Sequence, residues 1–250
     1  MAFRQLGTGL EQLVNARVAF EQIRPFWQAA LRPQELGDNN AGDFSVGATV
    51  VDARNLIYRH AGRIEPVLTG VNISIRSQDR ILLEGASGSG KSTLAAILAG
   101  QRQTEAGLCL SGGLDRTSLG NRAWRRRIAL VPQFHENHIF MGSLAFNLLL
   151  GRNWPPSMAD LQAAEALCKA LGMEALLERM PGGIFQQVGE TGWQLSHGER
   201  ERIFIARALL QNPKAIILDE SVSSLDPQTL QATMTLLWEQ APALLLIVHA

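Results

Sequence analysis

Residues 85–93, Gly85-Ala86-Ser87-Gly88-Ser89-Gly90-Lys91-Ser92-Thr93, constrain what this chain can fold into more than any other part of it. Gly85, Gly90, Lys91 and Ser92 satisfy G-x-x-x-x-G-K-[ST], the phosphate-binding loop. The run at 80–84, Arg-Ile-Leu-Leu-Glu, reads as a short buried strand. Residues 93–98 read as the first turns of a helix, with Gly100 as its stop. The motif needs that strand–loop–helix context. Glycines let the chain curl so that successive backbone N–H groups point inward at phosphate oxygens, and the helix start adds its positive dipole end. Lys91 can reach β- and γ-phosphates, and the Ser92 hydroxyl can bind Mg²⁺. A Gly/Ser-rich turn preceding a lysine by chance is the plain alternative. Lysine occurs only at 91, 169 and 214, which makes that coincidence rare.

At 250 residues, 46% hydrophobic and 18% charged, the chain can bury a sizeable core and is not a disordered type. Lys+Arg and Asp+Glu are each 23, so net charge offers no argument for nucleic acid or an anionic surface as partner. Cys109 and Cys168 have no metal or redox spacing and are expected to be reduced, buried residues of a cytosolic protein. No apolar run approaches the length of a membrane span, and the N-terminus has no signal-peptide pattern.

Residues 1–32 differ from the rest. Leu6, Leu10, Leu13, Phe20, Ile23, Trp27 and Ala30 form a helical stripe, which Arg17 interrupts and Pro25 kinks or divides. This is either an ordinary amphipathic core helix or a helix that docks on something outside the chain. Residues 33–47, rich in Gly, Asn, Asp and Pro, form a linker and mark the domain boundary. From about Ala48 the pattern turns β-rich, with strands expected at 49–55, 56–58, 67–75 and 80–84. Later apolar runs at 128–131, 215–218 and 244–248 suggest strands covered on both faces, as in a parallel sheet. Residues 157–180 read as helical, with Ser157 as N-cap and Asp160 three residues on. The fold class is therefore α/β, a phosphate-loop core with a mainly parallel sheet.

The run at 215–218 ends in Asp219 and Glu220. Adjacent acids at the carboxyl end of a strand lie where α/β sheets bind ligands. Asp219 is suited to hold Mg²⁺ at nucleotide phosphates, and Glu220 to act as general base on the attacking water. Alone, such a pair is weak evidence; joined to the phosphate loop it becomes strong. Leu195-Ser196-His197-Gly198-Glu199-Arg200 then precedes a helical stretch at 201–210.

With these residues in place, positions 48–250 resemble the nucleotide-binding domain of the ABC transporter family, whose signature is LSGGQ. The resemblance implies a role for each further match. Tyr58, the only tyrosine, stands where the family has an aromatic residue stacked on adenine. Gln133 matches the glutamine loop that contacts Mg²⁺ and water and communicates with the membrane domain. Residues 223–226, Ser-Ser-Leu-Asp, resemble the family's SALD loop, and His249 the histidine that senses the γ-phosphate. Residues 188–192, Val-Gly-Glu-Thr-Gly, resemble the stretch typical of exporters that touches coupling helices. Each has a duller reading alone: Tyr58 as a strand aromatic, Gln133 as a loop residue beside Pro132, residues 223–226 as a helix cap, His249 as a surface histidine. His135 and His138 are expected to be solvated loop residues.

The resemblance implies an ATPase that binds ATP and Mg²⁺. Tyr58, Gly85, Ser87, Gly88, Ser89, Gly90, Lys91, Ser92, Thr93, Ser196 and Gly198 would contact nucleotide. Ser92, Gln133 and Asp219 would serve the metal, and Glu220, His249 and Gln133 the chemistry. It further implies an antiparallel β subdomain near Tyr58, a helical subdomain from about His135 to the signature helix, and an exporter. In that exporter, two cassettes, identical or different, pair head to tail beneath a transmembrane domain at the cytoplasmic side of a membrane. Residues 1–32 would then be the cytosolic end of a transmembrane helix, this chain itself would be soluble, and no nucleic acid partner is expected. Two other readings stand beside it: a non-hydrolysing regulatory cassette and a soluble ABC ATPase acting on nucleic acid. The sequence departs from the family at His197, where glycine is usual, and at Glu199, where glutamine is usual; a side chain at 197 either crowds a nucleotide or donates to it. The family continues beyond the position of His249 with more strand and a helix, so the chain is expected to be C-terminally truncated, with an incomplete sheet edge.

Overall fold

Four apolar strands carry the phosphate loop: β3 (Arg80–Gly85), β6 (Ile128–Val131), β9 (Ala215–Asp219) and β10 (Leu244–His249). A computed structural model describes residues 12, 16, 17, 20, 47–136 and 138–249, with the backbone alone at 249. Among the described residues these strands form a four-stranded sheet in the order β3-β10-β9-β6, every neighbouring pair parallel. The continuous apolar sequences of β6, β9 and β10 follow from serving two cores at once; β3, at the sheet edge among the described residues, packs Ile81 and Leu83 on one cluster and leaves Leu82 and Glu84 exposed, so it is not the buried strand its sequence suggests. Alternate side chains of a strand point to opposite faces. Ile216 and Leu218 accordingly enter one buried cluster with Leu144, Leu148 and Ile203, whereas Ala215 and Ile217 enter a second with Leu56, Ile97 and Trp124. Each leucine or isoleucine so buried contributes ~1.5–3 kcal/mol.

The second cluster joins this sheet to an antiparallel one built from β1 (Thr49–Tyr58), β2 (Leu68–Arg76), β4 (Ala106–Ser111) and β5 (Leu114–Asp115), ordered β2-β1-β4-β5. The two expected strands at 49–55 and 56–58 are one strand. Its register shifts near Asn55, whose φ of +50° introduces a bulge rather than a break. Helix α1 (Lys91–Leu98) follows the phosphate loop and packs under both sheets. The chain turns at Gly100 (φ +72°), where a Cβ would lie 2.6 Å from the Trp124 ring, so no other residue fits there. Trp124 is buried and donates from Nε1 to the Leu98 carbonyl at 2.9 Å. It lies on α3 (Asn121–Arg127), after the one-turn α2 (Arg116–Leu119).

The first cluster fills the helical part: α4 (Leu144–Leu148), α5 (Met158–Ala170), α6 (Glu174–Arg179) and α7 (His197–Leu210). The helical stretch expected at 157–180 is two helices, because Gly172 (φ +69°) ends the first. The Ser157–Asp160 capping box forms as its residues imply. A two-stranded ribbon, β7 (Gly142–Ser143) with β8 (Gln187–Val188), closes this part, and α8 (Pro227–Gln240) runs between β9 and β10.

The cysteines are free: Cys168 is buried and Cys109 partly so. Met1–Leu36 forms a unit separate from the rest. Gln12, Ala16, Arg17 and Phe20 are helical within it. The remaining stripe positions of 1–32 and nearly all of the linker lie outside the described residues. Among the described residues no helix is long and apolar enough to cross a membrane.

Candidate nucleotide site

The phosphate loop runs from the end of β3 to the first residue of α1. Gly88 and Gly90 take φ of +77° and +92°, which glycine adopts without strain. Gly90 is also packed: a Cβ there would meet Leu68 at 2.9 Å and Val67 at 3.0 Å. Lys91 is only 8% exposed, and its Nζ donates to the carbonyls of Gly85 at 2.6 Å and Ala86 at 3.0 Å. The ammonium is thus held inside the loop's own curve, with a third proton left for an anion.

Three strand ends bring chemistry to that loop. Asp219, at the end of β9, is 2% exposed, and its Oδ1 has no hydrogen-bond partner among the described residues. Burial pushes its carboxyl above the usual carboxylate range; the Ser92 hydroxyl opposes this, while Glu220 and Glu136 add to it. Gln133, two residues past β6, donates from Nε2 to the Ser92 hydroxyl at 3.3 Å. Ser92, Gln133 and Asp219 therefore converge, offering a hydroxyl, an amide and a buried carboxylate with an unused oxygen. Hard oxygen donors with a single carboxylate suit Mg²⁺, which takes the rest of its shell from phosphates and water. No cluster of three His, Cys, Asp or Glu side chains competes for a metal among the described residues. On β10, the backbone pairs Ile247 with Asp219 on one side and His249 with Gly85 on the other, so His249 stands beside the start of the loop.

Glu220 is half-buried and takes φ of +51°, while its N–H donates to the Ile247 carbonyl at 3.1 Å. Left-handed backbone at a non-glycine residue costs ~1–2 kcal/mol, and such strain gathers at functional positions. Ser221, buried, donates to the Val131 carbonyl at 2.7 Å and so fastens the end of β9 to the end of β6, just before Gln133. Neither feature is visible in a motif.

The signature begins α7. Ser196 is its N-cap: its Oγ accepts from the Glu199 N–H at 3.2 Å, and Glu199 Oε2 accepts from the Ser196 N–H at 2.8 Å. Glu199 Oε1 also accepts from Arg179 Nη2 at 2.7 Å. The departure from glutamine at 199 is thereby explained: both carboxylate oxygens are used. The His197 ring stands edge-on to Phe134, which follows Gln133. A Cβ at Gly198 would meet Leu225 and Ser224 at ordinary 3.5 Å contact, so packing within this chain does not demand glycine there. Glu201, 1% exposed, accepts from the Ser224 N–H at 3.1 Å and ties α7 to the 223–226 loop. Asp226 in that loop does cap α8, accepting from Gln228 and Thr229 N–H groups. Among the described residues no hydrogen bond joins Ser196 or Gly198 to the phosphate loop.

Tyr58 ends β1, partly buried, and is held by groups that no motif marks. Arg102 donates to its hydroxyl at 2.9 Å, and the His60 ring meets it perpendicularly at 5.1 Å. His60 Nε2 lies 3.3 Å from the Thr93 hydroxyl on α1. His135 and His138 are exposed, as expected. Residues 188–192 pack beside 140–143: a Cβ at Gly189 would lie 3.1 Å from Met141 Cα. Phe140, Met141 and Phe185 are exposed around them.

A strand-borne phosphate loop, an acidic strand end beside its serine, and a capped signature helix define an ATP-binding cassette. The chain belongs to the ABC transporter family: the model of that family, described as ABC transporter, matches residues 68–223. It is the ATPase domain of such a protein. It is 33% identical over 222 residues to the ABC multidrug transporter mdr4 of Aspergillus fumigatus, covering 89% of this chain and 16% of that protein. It is 34% identical over 189 residues to the ATP-dependent lipid A-core flippase of Yersinia pestis, covering 76% of this chain and 32% of that protein. Among solved structures it resembles a bacterial Atm1-family ABC exporter with ATP bound, with a TM-score of 0.73 and 27% identity, covering 95% of this chain and 40% of that one. The chain therefore spans about a third or less of these curated relatives.

Proposed function

We propose that this chain is the ATP-binding and ATP-hydrolysing cassette of an exporter. The observation that carries the reading is the buried Asp219 carboxyl, with one oxygen unpartnered, beside the Ser92 hydroxyl that Gln133 also reaches. Such a charge is costly unless a cation completes it. In this reading Gly85, Ser87, Gly88, Ser89, Gly90 and Thr93 offer the loop's donors to ATP phosphates, and the Lys91 ammonium binds the β- and γ-oxygens. Tyr58 stacks on the adenine. Ser92, Gln133 and Asp219 hold Mg²⁺, which when bound neutralises charge on the β- and γ-phosphate oxygens. Glu220 takes the proton of the attacking water, and His249 senses the γ-phosphate. Glu220 suits the base's role because Asp219 already serves the metal.

Ser196 and Gly198, at a helix N-terminus that makes no hydrogen bond to the loop of their own chain among the described residues, serve a second cassette, the same or a different one, paired head to tail. Loss of γ-phosphate contacts on hydrolysis then opens the pair. The exposed Phe140, Met141 and Phe185, around the 188–192 stretch, form the surface that a transmembrane domain covers, because burying them removes apolar area from water. Residues 1–32 belong to the end of that domain's last helix, 33–47 to the linker, and 48–250 to the cassette, on the cytoplasmic side of the membrane. The regulatory and nucleic-acid readings are not favoured: the relatives above are named as transporters and a flippase. The test is MgATP binding with and without EDTA. Wild type should bind more tightly with Mg²⁺, and Asp219→Asn should lose that increment; an unchanged increment in the variant would sink the metal assignment.

A further inference from the structure

Tyr58 is gripped from both ends of the phosphate-loop helix. At its start, the Thr93 hydroxyl lies 3.3 Å from His60 Nε2, and the His60 ring contacts the Tyr58 ring at 5.1 Å and 90°. Beyond its end, Arg102 is anchored by its backbone N–H on the Ala96 carbonyl at 3.2 Å. From there the Arg102 guanidinium donates to the Tyr58 hydroxyl at 2.9 Å and lies over its ring, 5.8 Å from the centroid. Its Nη1 is also 3.4 Å from His60 Nδ1, which closes the circuit. Arg102 is exposed, and a long exposed side chain loses rotamer freedom when held this way. The contacts it makes all converge on the one tyrosine and its histidine neighbour.

We infer that His60 and Arg102 are positioning residues that fix the Tyr58 ring at a set span from the phosphate loop, so that the base and the phosphates of one purine nucleoside triphosphate are gripped together. This rests on Tyr58 as the base-stacking residue. The physical reason is preorganisation: a stacking ring that is already immobile loses less freedom when a base docks on it. Thr93 is the pivot, being part of α1 one residue after Ser92. Neither His60 nor Arg102 touches the nucleotide in this scheme. Their effect passes through Tyr58, and so should depend on the presence of a base.

The test compares two probes on the 250-residue chain: MgATP, and magnesium tripolyphosphate, which has phosphates and no base. His60→Ala and Arg102→Ala should each weaken MgATP about threefold to tenfold and change tripolyphosphate affinity less than about twofold. His60→Gln, which keeps a donor toward Thr93, and Arg102→Lys, which keeps the charge, should recover part of the loss and guard against misfolding in the alanine variants. Tyr58→Ala should show the same split between probes and be non-additive with either. Parallel loss of both probes would mean a damaged phosphate loop and would overturn the inference, as would wild-type MgATP affinity in both alanine variants. Absence of the split in Tyr58→Ala would instead remove the base-stacking role itself.

Discussion

The imidazole of His197 stands edge-on to the ring of Phe134, centroids 4.5 Å apart and planes at 85°. The residue that departs from the family signature is therefore turned toward the glutamine loop, and α7 is linked through Phe134 to Gln133 and Ser92. Arg200, one turn along α7, lies over the same phenylalanine at 5.9 Å. An aromatic pair of this geometry contributes ~0.5–1.5 kcal/mol. A double-mutant cycle on stability with Phe134→Ala and His197→Ala should return a coupling of about that size. Additive losses would mean that the contact carries no energy.

Glu199 tests the second departure. Glu199→Gln keeps an acceptor for the Ser196 N–H and gives up the charge facing Arg179, which is 60% exposed. That pair is worth less than about 1 kcal/mol, so the variant should unfold close to wild type in urea. Glu199→Ala keeps the Ser196 cap on the backbone N–H of residue 199 but loses the acceptor for the Ser196 N–H, and should be destabilised by ~0.5–1.5 kcal/mol. Equal losses in the two variants would show that this reciprocal half of the capping box contributes nothing.

Much of this architecture was legible in the sequence, and the remainder was hidden for identifiable reasons. The phosphate loop and the apolar runs of β6, β9 and β10 are local signals, and all lie where their residues imply. The Gly172 break in the 157–180 helix was written in the chain, but periodicity outweighed it. The start of α7 at His197, four residues before the expected 201, follows from the Ser196 cap, which is itself a local signal. By contrast, Ser221 on Val131, Glu201 on Ser224, Arg102 on Tyr58 and His60 on Thr93 join residues far apart in sequence. A side chain's partner across the fold leaves no periodicity behind. The left-handed backbone of Glu220 was equally hidden, because glutamate has no preference that announces it.

Asp219 should show opposed effects on stability and function. Its carboxyl is buried with one oxygen unpartnered, so Asp219→Asn removes a buried charge and should stabilise the metal-free chain by on the order of 1 kcal/mol. The same variant should gain nothing in thermal midpoint from Mg²⁺ with ATP, whereas wild type gains several degrees. A metal-free variant less stable than wild type would show that the carboxylate is satisfied structurally.

The thiols set an alkaline limit. Burial, with Glu165 adding to it, pushes Cys168 from 9.0 up to about 12. The folded state then keeps a proton that the unfolded chain has lost. The resulting stability is fully present below pH 9 and is lost as pH rises from there toward 12, by about 1.4 kcal/mol per pH unit. Urea midpoints of wild type should therefore fall more steeply between pH 9 and 10.5 than those of Cys168→Ala. Identical slopes would place the Cys168 thiol in contact with water.

In the proposed function Glu220 is the base of the ATPase. The decisive measurement is the turnover of Glu220→Gln at saturating MgATP, in the cassette joined to the transmembrane domain proposed above, with bound nucleotide and association state followed together. The variant keeps the shape of the side chain and loses its charge. Turnover should fall by a factor of ~10²–10⁴, while ATP stays bound and the cassettes remain closed as a pair. Turnover at the wild-type rate would contradict the assignment outright.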